Sequence, residues 1–198
     1  APSSVQECFD YTVHAFNLAE RFRTPVFVLM DAFLGHMREE LLIPEPEAIS
    51  TVGRRLFPKG VDTETLPGFL DEDVAPMPVF GMGHKAHVTS SCHDAYGRRN
   101  VVDASALDVF IKKLNGKIER HRDEIVQVAQ DADGAETVLV SYGSIFRCAQ
   151  AVVEVGRAEG LKLGWLKLGT LWPFADKEIR AVAEQAKRLI VLEHNLGQ

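Results

Sequence analysis

The chain has 198 residues, 46% hydrophobic and 25% charged, an ordinary globular balance with room for one or two cored domains. A formal net charge of -6 and a pI near 5.7 speak against a nucleic-acid surface, which needs a basic patch; Arg98-Arg99 and Lys112-Lys113 are only pairs. The apolar runs, such as 25–30 and 137–140, fall far short of the ~20 residues that span a bilayer, and no signal peptide is visible. Cys8, Cys92 and Cys148 are widely spaced without a CxxC, which fits free thiols in a reducing cytoplasm. The chain opens at Ala1 and stops at Gln198, each beside a strong structural signal, so both ends read as cuts within a longer protein, although a processed chain would look similar.

Ser4-Val5-Gln6-Glu7 has the spacing of a capping box, with Glu7 able to reach back to the cap. Val5, Cys8, Phe9, Thr12, Ala15, Phe16 and Ala19 then recur with a helical period, predicting an amphipathic helix over 4–22. Residues 26–30 form an unbroken apolar run, expected as a strand buried on both faces of a parallel sheet. That run stops at Asp31, and the stretch beyond it, 32–38, would leave the sheet at the carboxyl end, where ligands bind in open α/β sheets. Six of the nine prolines lie between 44 and 78, so 44–104 reads as a long connection packed on protein surfaces. Leu107, Phe110, Ile111, Leu114, Ile118, Ile125 and Val128 predict a helix over 105–130, weakened locally by Gly116.

The last third reads most clearly. A strand at 137–141 meets a turn at Gly143-Ser144, and a helix follows to Glu159 with Gly160 as its cap. A second strand covers 161–168, Asp176 opens another helix carrying Ile179, Val182, Ala183 and Ala186, and a third strand covers 189–192. The spacing implies β-α-β-α-β with parallel pairing.

Several places could carry chemistry. The turn at Gly143 and Ser144 is an anion-binding candidate, because backbone N–H groups at a helix start attract negative charge; the alternative is a tight turn in which glycine permits close packing. It lacks GxGxxG and GK[ST]. Residues 84–94 collect His84, His87, His93, Cys92 and Asp94, but their spacing matches no common zinc pattern, and a hydrogen-bonded packing loop is the competing reading. His36 lies at the ligand-prone sheet edge and could titrate near neutrality, or be satisfied by backbone. Asp71-Glu72-Asp73 reads as a solvated loop, and Glu193-His194-Asn195 as a strand terminus. No HExxH, GxSxG or recognised Cys/His pair is present. The residues by themselves support a cytoplasmic α/β protein in two lobes with no self-contained catalytic set.

An ordered series of short motifs resembles the alpha subunit of 2-oxoacid:ferredoxin oxidoreductases, most closely the 2-oxoglutarate type. The series comprises Ala1-Pro2-Ser3-Ser4-Val5-Gln6-Glu7, Ala15-Phe16-Asn17-Leu18-Ala19-Glu20-Arg21, Arg23-Thr24-Pro25-Val26, Gly35-His36-Met37-Arg38-Glu39, and His87-Val88-Thr89 with His93-Asp94 and Gly97. It continues through Val140-Ser141-Tyr142-Gly143-Ser144, Thr170-Leu171-Trp172-Pro173-Phe174 and Glu193-His194-Asn195-Leu196-Gly197-Gln198. The resemblance implies an α/β fold: the end of a thiamine-enzyme pyrimidine-type domain over 1–43, a connection and helix over 44–120, and much of a transketolase C-terminal-like domain with a parallel sheet over 121–198.

It further implies oxidative decarboxylation of a 2-oxoacid to acyl-CoA, with reduction of ferredoxin and coenzyme A as co-substrate. Thiamine diphosphate, Mg and a [4Fe–4S] cluster would belong to the complex, mainly on a beta subunit, with none bound by this chain alone and no nucleic-acid or membrane partner. The family's thiamine-activating segment has no match here, so no catalytic residue carries over. Asp31, His36, Arg38, His87, Thr89 and His93 are candidates for substrate or subunit contacts. A second substrate carboxylate would call for an Arg or Lys, with Arg38, Lys85 and Arg98 available. Branched-chain 2-oxoacid enzymes, or a non-catalytic α/β interaction module, are the alternatives.

Overall fold

The computed structural model describes residues 1–62, 73–87 and 91–196. In chain order it contains α1 (Val5–Phe22), α2 (Ala32–His36), a 3-10 turn (Pro46–Ala48), α3 (Ala104–Arg120), α4 (Arg122–Ile125), β1 (Val128–Asp131), β2 (Thr137–Ser141), α5 (Ile145–Ala158), β3 (Leu163–Leu168), α6 (Asp176–Gln185) and β4 (Arg188–Leu192). Two compact units divide the chain, and they cut it differently from 1–43, 44–120 and 121–198. One holds 1–15, 27–49 and 123–198, the other 16–26 and 50–122, with α1 contributing residues to both. No helix among the described residues is long and apolar enough to cross a membrane.

In the first unit the sheet order is β1-β3-β2-β4. Strand β2 is central and parallel to both β3 and β4, with Leu139 opposite Trp165 on one side and Ile190 on the other. The two faces bury different clusters. Val138, Val140, Leu166 and Leu168 pack with Ala175 and Val182 of the α6 side, while Leu139 packs with Ala149 and Val153 of α5. Helices on both faces explain why β2 reads as an unbroken apolar run. The chain leaves α5 through a Schellman turn: Gly160 N–H donates to Arg157 C=O at 3.0 Å, Leu161 N–H to Gly156 C=O at 2.9 Å, and Gly160 sits at φ +85°. Gly160→Ala is therefore expected to cost about 1 kcal/mol, measured as a lower urea midpoint for this unit.

Two sequence expectations need correction here. Residues 26–30 form no strand; Phe27 is 80% exposed and Leu29 59%, because no described segment offers them a ladder partner. The expected helix over 105–130 stops at Arg120, resumes for one turn, and gives way to β1, which pairs antiparallel with β3 and was not anticipated. Gly116 does not interrupt α3; its missing side chain makes room for the Arg120 guanidinium, which lies 2.8 Å from where a Cβ would stand.

Helix α1 buries only part of its predicted apolar stripe: Val5, Cys8, Phe9, Ala15 and Ala19 are half-buried, while Thr12 and Phe16 are exposed. In the first unit its polar residues Glu7, Tyr11 and His14 make contacts as well. Glu7 pairs with Lys167, the Tyr11 hydroxyl closes on Gly169, and His14 Nε2 meets Gln127 at 3.2 Å.

In the second unit, α1 ends at Phe22 with Arg23 in the left-handed region (φ 51°), where glycine is usual. The Arg23 guanidinium offsets that strain by donating to Ala75 C=O at 3.0 Å and Pro76 C=O at 2.9 Å. Buried Lys117 donates to Phe22 C=O at 2.6 Å, satisfying an orphan carbonyl at the helix end. The described residues between 50 and 103 carry little regular structure, as expected, and side-chain bonds such as those of Arg23 tie to them.

Candidate functional site

Parallel strands β2 and β4 point their carboxyl ends the same way, and a group of polar residues that includes Asp31, Ser144 and Asn195 lies beyond them. Beyond β2 the chain turns through Gly143 at φ +63° and enters α5 at Ser144, which is buried. The Ser144 side chain does not cap the helix. Asp31, 113 residues upstream, takes that role: its Oδ2 accepts the Ser144 N–H at 3.0 Å. Its Oδ1 accepts the Leu34 N–H at 2.9 Å and caps α2. One carboxylate thus serves two helix starts, where N–H groups and helix dipoles favour negative charge. Burial pushes the Asp31 carboxyl up, but the Leu34 N–H, the Ser144 hydroxyl and N–H, and neighbouring His194 together hold it below the usual carboxylate range.

Glycine at 143 is favoured because the backbone is left-handed there; a Cβ would only come into contact with Asp31 Oδ2, at 3.4 Å. Beyond β4, Asn195 Nδ2 donates to the Tyr142 hydroxyl at 3.2 Å, so the ends of β2 and β4 are linked side chain to side chain. Two signals in the sequence mark Glu193-His194-Asn195 as more than a strand terminus: their position after a parallel strand and their place in the series of family-like motifs.

The segment after Asp31 is held by Glu39, whose carboxylate accepts the Val5 N–H at 3.0 Å and pairs with Arg147. His36 and Arg38 lie between these acidic residues and are exposed. Asp31, Gly143 and Ser144 are therefore brought together, with His36 and Arg38 on the adjoining segment.

His87 and His93 belong to the second unit. His87 is exposed. The His93 ring packs edge-on against Phe110, centroids 4.5 Å apart, and its Nδ1–H donates to Asp94 C=O at 3.0 Å. Asp94 accepts the Tyr96 and Arg98 N–H groups at 2.9 Å each, making 92–100 a tight hairpin-like loop with Gly97 at φ +80°. Buried His84 accepts the Val79 N–H at Nδ1 and donates from Nε2 to Pro58 C=O, 3.0 and 2.8 Å, a structural tie across the loops. Thr89 lies outside the described residues. Among the described residues no group of three His, Cys, Asp or Glu is placed to hold a metal ion.

The first unit contains one more buried charge, missed in the sequence because its partner is 160 residues away. Lys167 of β3 is 4% exposed, pairs with Glu7, and has its ammonium 4.9 Å from the Phe146 ring centroid. Glu7 also accepts the Ser3 N–H and hydroxyl at 2.8 Å each. These arrangements place and neutralise charge; none pairs a nucleophile with a base.

Residues 1–112 match the family described as pyruvate flavodoxin/ferredoxin oxidoreductase, thiamine diphosphate-binding. The chain belongs to this family. Residues 135–198 match pyruvate:ferredoxin oxidoreductase core domain II. The 2-oxoglutarate synthase subunit KorA of Methanothermobacter marburgensis is 42% identical over 200 residues, covering 100% of this chain and 52% of that protein. The ketoisovalerate oxidoreductase subunit VorB of Methanothermobacter thermautotrophicus is 36% identical over 199 residues, covering 100% and 49%. The chain thus spans about half the length of the curated relatives it matches. In fold it is similar to a 2-oxoglutarate:ferredoxin oxidoreductase from Magnetococcus marinus, solved with 2-oxoglutarate, coenzyme A and succinyl-CoA bound. The TM-score is 0.85 at 24% identity, over 99% of this chain and 34% of that one. The resemblance read from the short motifs is the family that the whole-chain matches show, and the α/β fold class agrees.

Proposed function

We propose that this chain forms part of the alpha subunit of a 2-oxoglutarate:ferredoxin oxidoreductase, acting only together with a beta subunit. The observation that carries this reading is identity spread over the whole chain, 42% to a 2-oxoglutarate synthase subunit against 36% to a ketoisovalerate subunit. When bound, thiamine diphosphate supplies decarboxylation chemistry and a [4Fe–4S] cluster supplies electron transfer to ferredoxin, with coenzyme A taking the acyl group.

The residues of this chain do not fit a diphosphate at the Gly143 turn. The Ser144 N–H already carries the Asp31 carboxylate, and a second anion there would meet its charge. On this reading thiamine diphosphate, Mg and the cluster are held mainly by the beta subunit, and this chain contributes contacts around substrate and partner. Asp31, His36 and Arg38 are the candidates in one unit and His87 and His93 those in the other, while Thr89 lies outside the described residues. The second carboxylate of 2-oxoglutarate favours a guanidinium or ammonium neighbour; Arg38, Lys85 and Arg98 are the groups offered.

The test is reconstitution of the full-length alpha chain with its beta subunit. A stable heteromer is expected, with coenzyme A-dependent reduction of ferredoxin or viologen about tenfold or more faster on 2-oxoglutarate than on a branched 2-oxoacid. A reversed preference would assign it to the branched-chain enzymes, whose subunits this chain also resembles. A pair inactive on every 2-oxoacid would leave the interaction-module reading instead.

A further inference from the structure

Segment 31–39 is tied to its unit at both ends, and both ties run through the first turn of α5. At one end Asp31 accepts the Leu34 N–H at 2.9 Å and the Ser144 N–H at 3.0 Å. At the other, Glu39 accepts the Val5 N–H at 3.0 Å and pairs with Arg147, whose Nη1 also lies 3.2 Å from Met37 Sδ. Ser144 and Arg147 are three residues apart, so they share one face of one turn. Between the anchors Leu34 is 2% exposed, while Phe33 is 67% exposed and His36 and Arg38 face solvent. Helix α2 has only five residues, too few to hold itself by its own hydrogen bonds. Its conformation is therefore set by what grips it.

We propose that residues 31–39 form a strap closed by the first turn of α5, and that its two ends release together rather than one at a time. The segment between the anchors is short. While one end is held, the other acceptor stays at high effective concentration near its donor. Losing one anchor removes that constraint, and the short α2 is left with the burial of Leu34 and the remaining anchor. Release moves Phe33, His36 and Arg38 as a group, so the strap governs how these side chains are presented. Only their role as contact residues rests on the functional reading above; the closure itself stands on the geometry.

Hydrogen exchange read by mass spectrometry on the full chain tests the coupling. Arg147→Ala leaves the sequence of 31–39 untouched and keeps a good helix former in α5. It is expected to speed exchange about tenfold at the Leu34, Gly35 and Met37 amides, which report the Asp31 end and α2. Asp31→Ala is expected to speed exchange of the Val5 amide, which is bound at the Glu39 end, and the double variant to add less than the sum of the two. Changes confined to the substituted end, or additive effects, would overturn the proposal. The amides of β2 and β3 serve as the fold control. If Asp31→Ala also exposes them, the Arg147→Ala result decides.

Discussion

Replacing Glu7 by glutamine is expected to destabilise the sheet-bearing unit by about 3 kcal/mol, the lower end of what breaking a buried ion pair costs. Lys167 is the reason. Its side chain is 5% exposed on β3, with Glu7 as its carboxylate partner and the rings of Phe146 and Tyr11 about it at 4.9 and 6.0 Å. Glutamine keeps the volume of Glu7 and an acceptor for Ser3, but leaves an ammonium in a low-dielectric site with no counter-charge at Glu7. The figure is held to the lower end because the Glu7 side chain is 26% exposed, so part of the pair is solvent-screened.

The reverse substitution, Lys167→Met, is expected to cost less, about 1–2 kcal/mol. The carboxylate left behind keeps both Ser3 donors and reaches water. Combining Glu7→Gln with Lys167→Met restores most of the loss, since a buried pair replaced as a unit is often near neutral. Urea unfolding followed by Trp165 fluorescence measures all three, because Trp165 packs edge-on against Phe146 at 4.9 Å beside this pair. Three variants of equal stability would remove the pair from the energetics of the fold.

The same pair has a pH signature. Burial pushes the Glu7 carboxyl up, but Lys167 and the two Ser3 donors outweigh it and hold it below its ordinary value of 4.5. The folded state therefore binds fewer protons at Glu7 than the unfolded chain does. Its contribution is complete above pH 4.5 and is lost as pH falls through the depressed folded value. The stability gap between the native chain and Glu7→Gln should accordingly narrow below pH 4.5. A gap that widened on acidification would contradict this linkage.

Gly164→Val is the second large effect, expected at about 3 kcal/mol. Gly164 lies in β3 beside the end of β1, next to the Asp131–Trp165 pair. A Cβ there would stand 2.8 Å from both Ala132 Cα and Asp131 C=O, and 2.9 Å from Ala135 Cβ. Two of these atoms are backbone, so relief requires moving β1 rather than turning a side chain. The glycine is there for space, not for an unusual backbone angle. The damage should be directional: among the described residues β1 lies at the edge and pairs with β3 alone, whereas β2 is held by both β3 and β4. Hydrogen exchange should show the β1 amides unprotected while β2 and β4 keep theirs. Uniform loss across the sheet would mean that β1 is not the yielding element.

Local order along the chain was legible wherever periodicity and punctuation agreed. The predicted strand at 137–141 is β2, the expected cap Gly160 closes α5 in a left-handed turn, and the helix expected over 4–22 is α1. These features depend on residues within a few positions of one another, which is what sequence patterns encode. The parallel arrangement of β2, β3 and β4 followed from their spacing for the same reason. Position after the parallel strand β2 also pointed to Gly143 and Ser144, because the carboxyl ends of such strands gather together; Asp31 was singled out for following a strand at 26–30 that does not form.

Tertiary structure decided the pairings. Asp31 finds Ser144 across 113 residues and Glu7 finds Lys167 across 160, distances over which no spacing rule operates. It also decided which polar residues are used. Periodicity marked an apolar stripe on α1 and was silent on Glu7, Tyr11 and His14, which make contacts because the elements opposite present Lys167, Gly169 and Gln127. The apolar run at 26–30 reads as a buried strand and is exposed instead, since a strand exists only when a neighbour supplies its ladder. The amino-acid sequence by itself determined α1, α5, α6, the parallel strands β2 to β4, their order and the family, but not β1. Which charges meet, which faces close, and where a glycine is needed for space were settled only when distant segments met, because these depend on three-dimensional complementarity rather than on local preference.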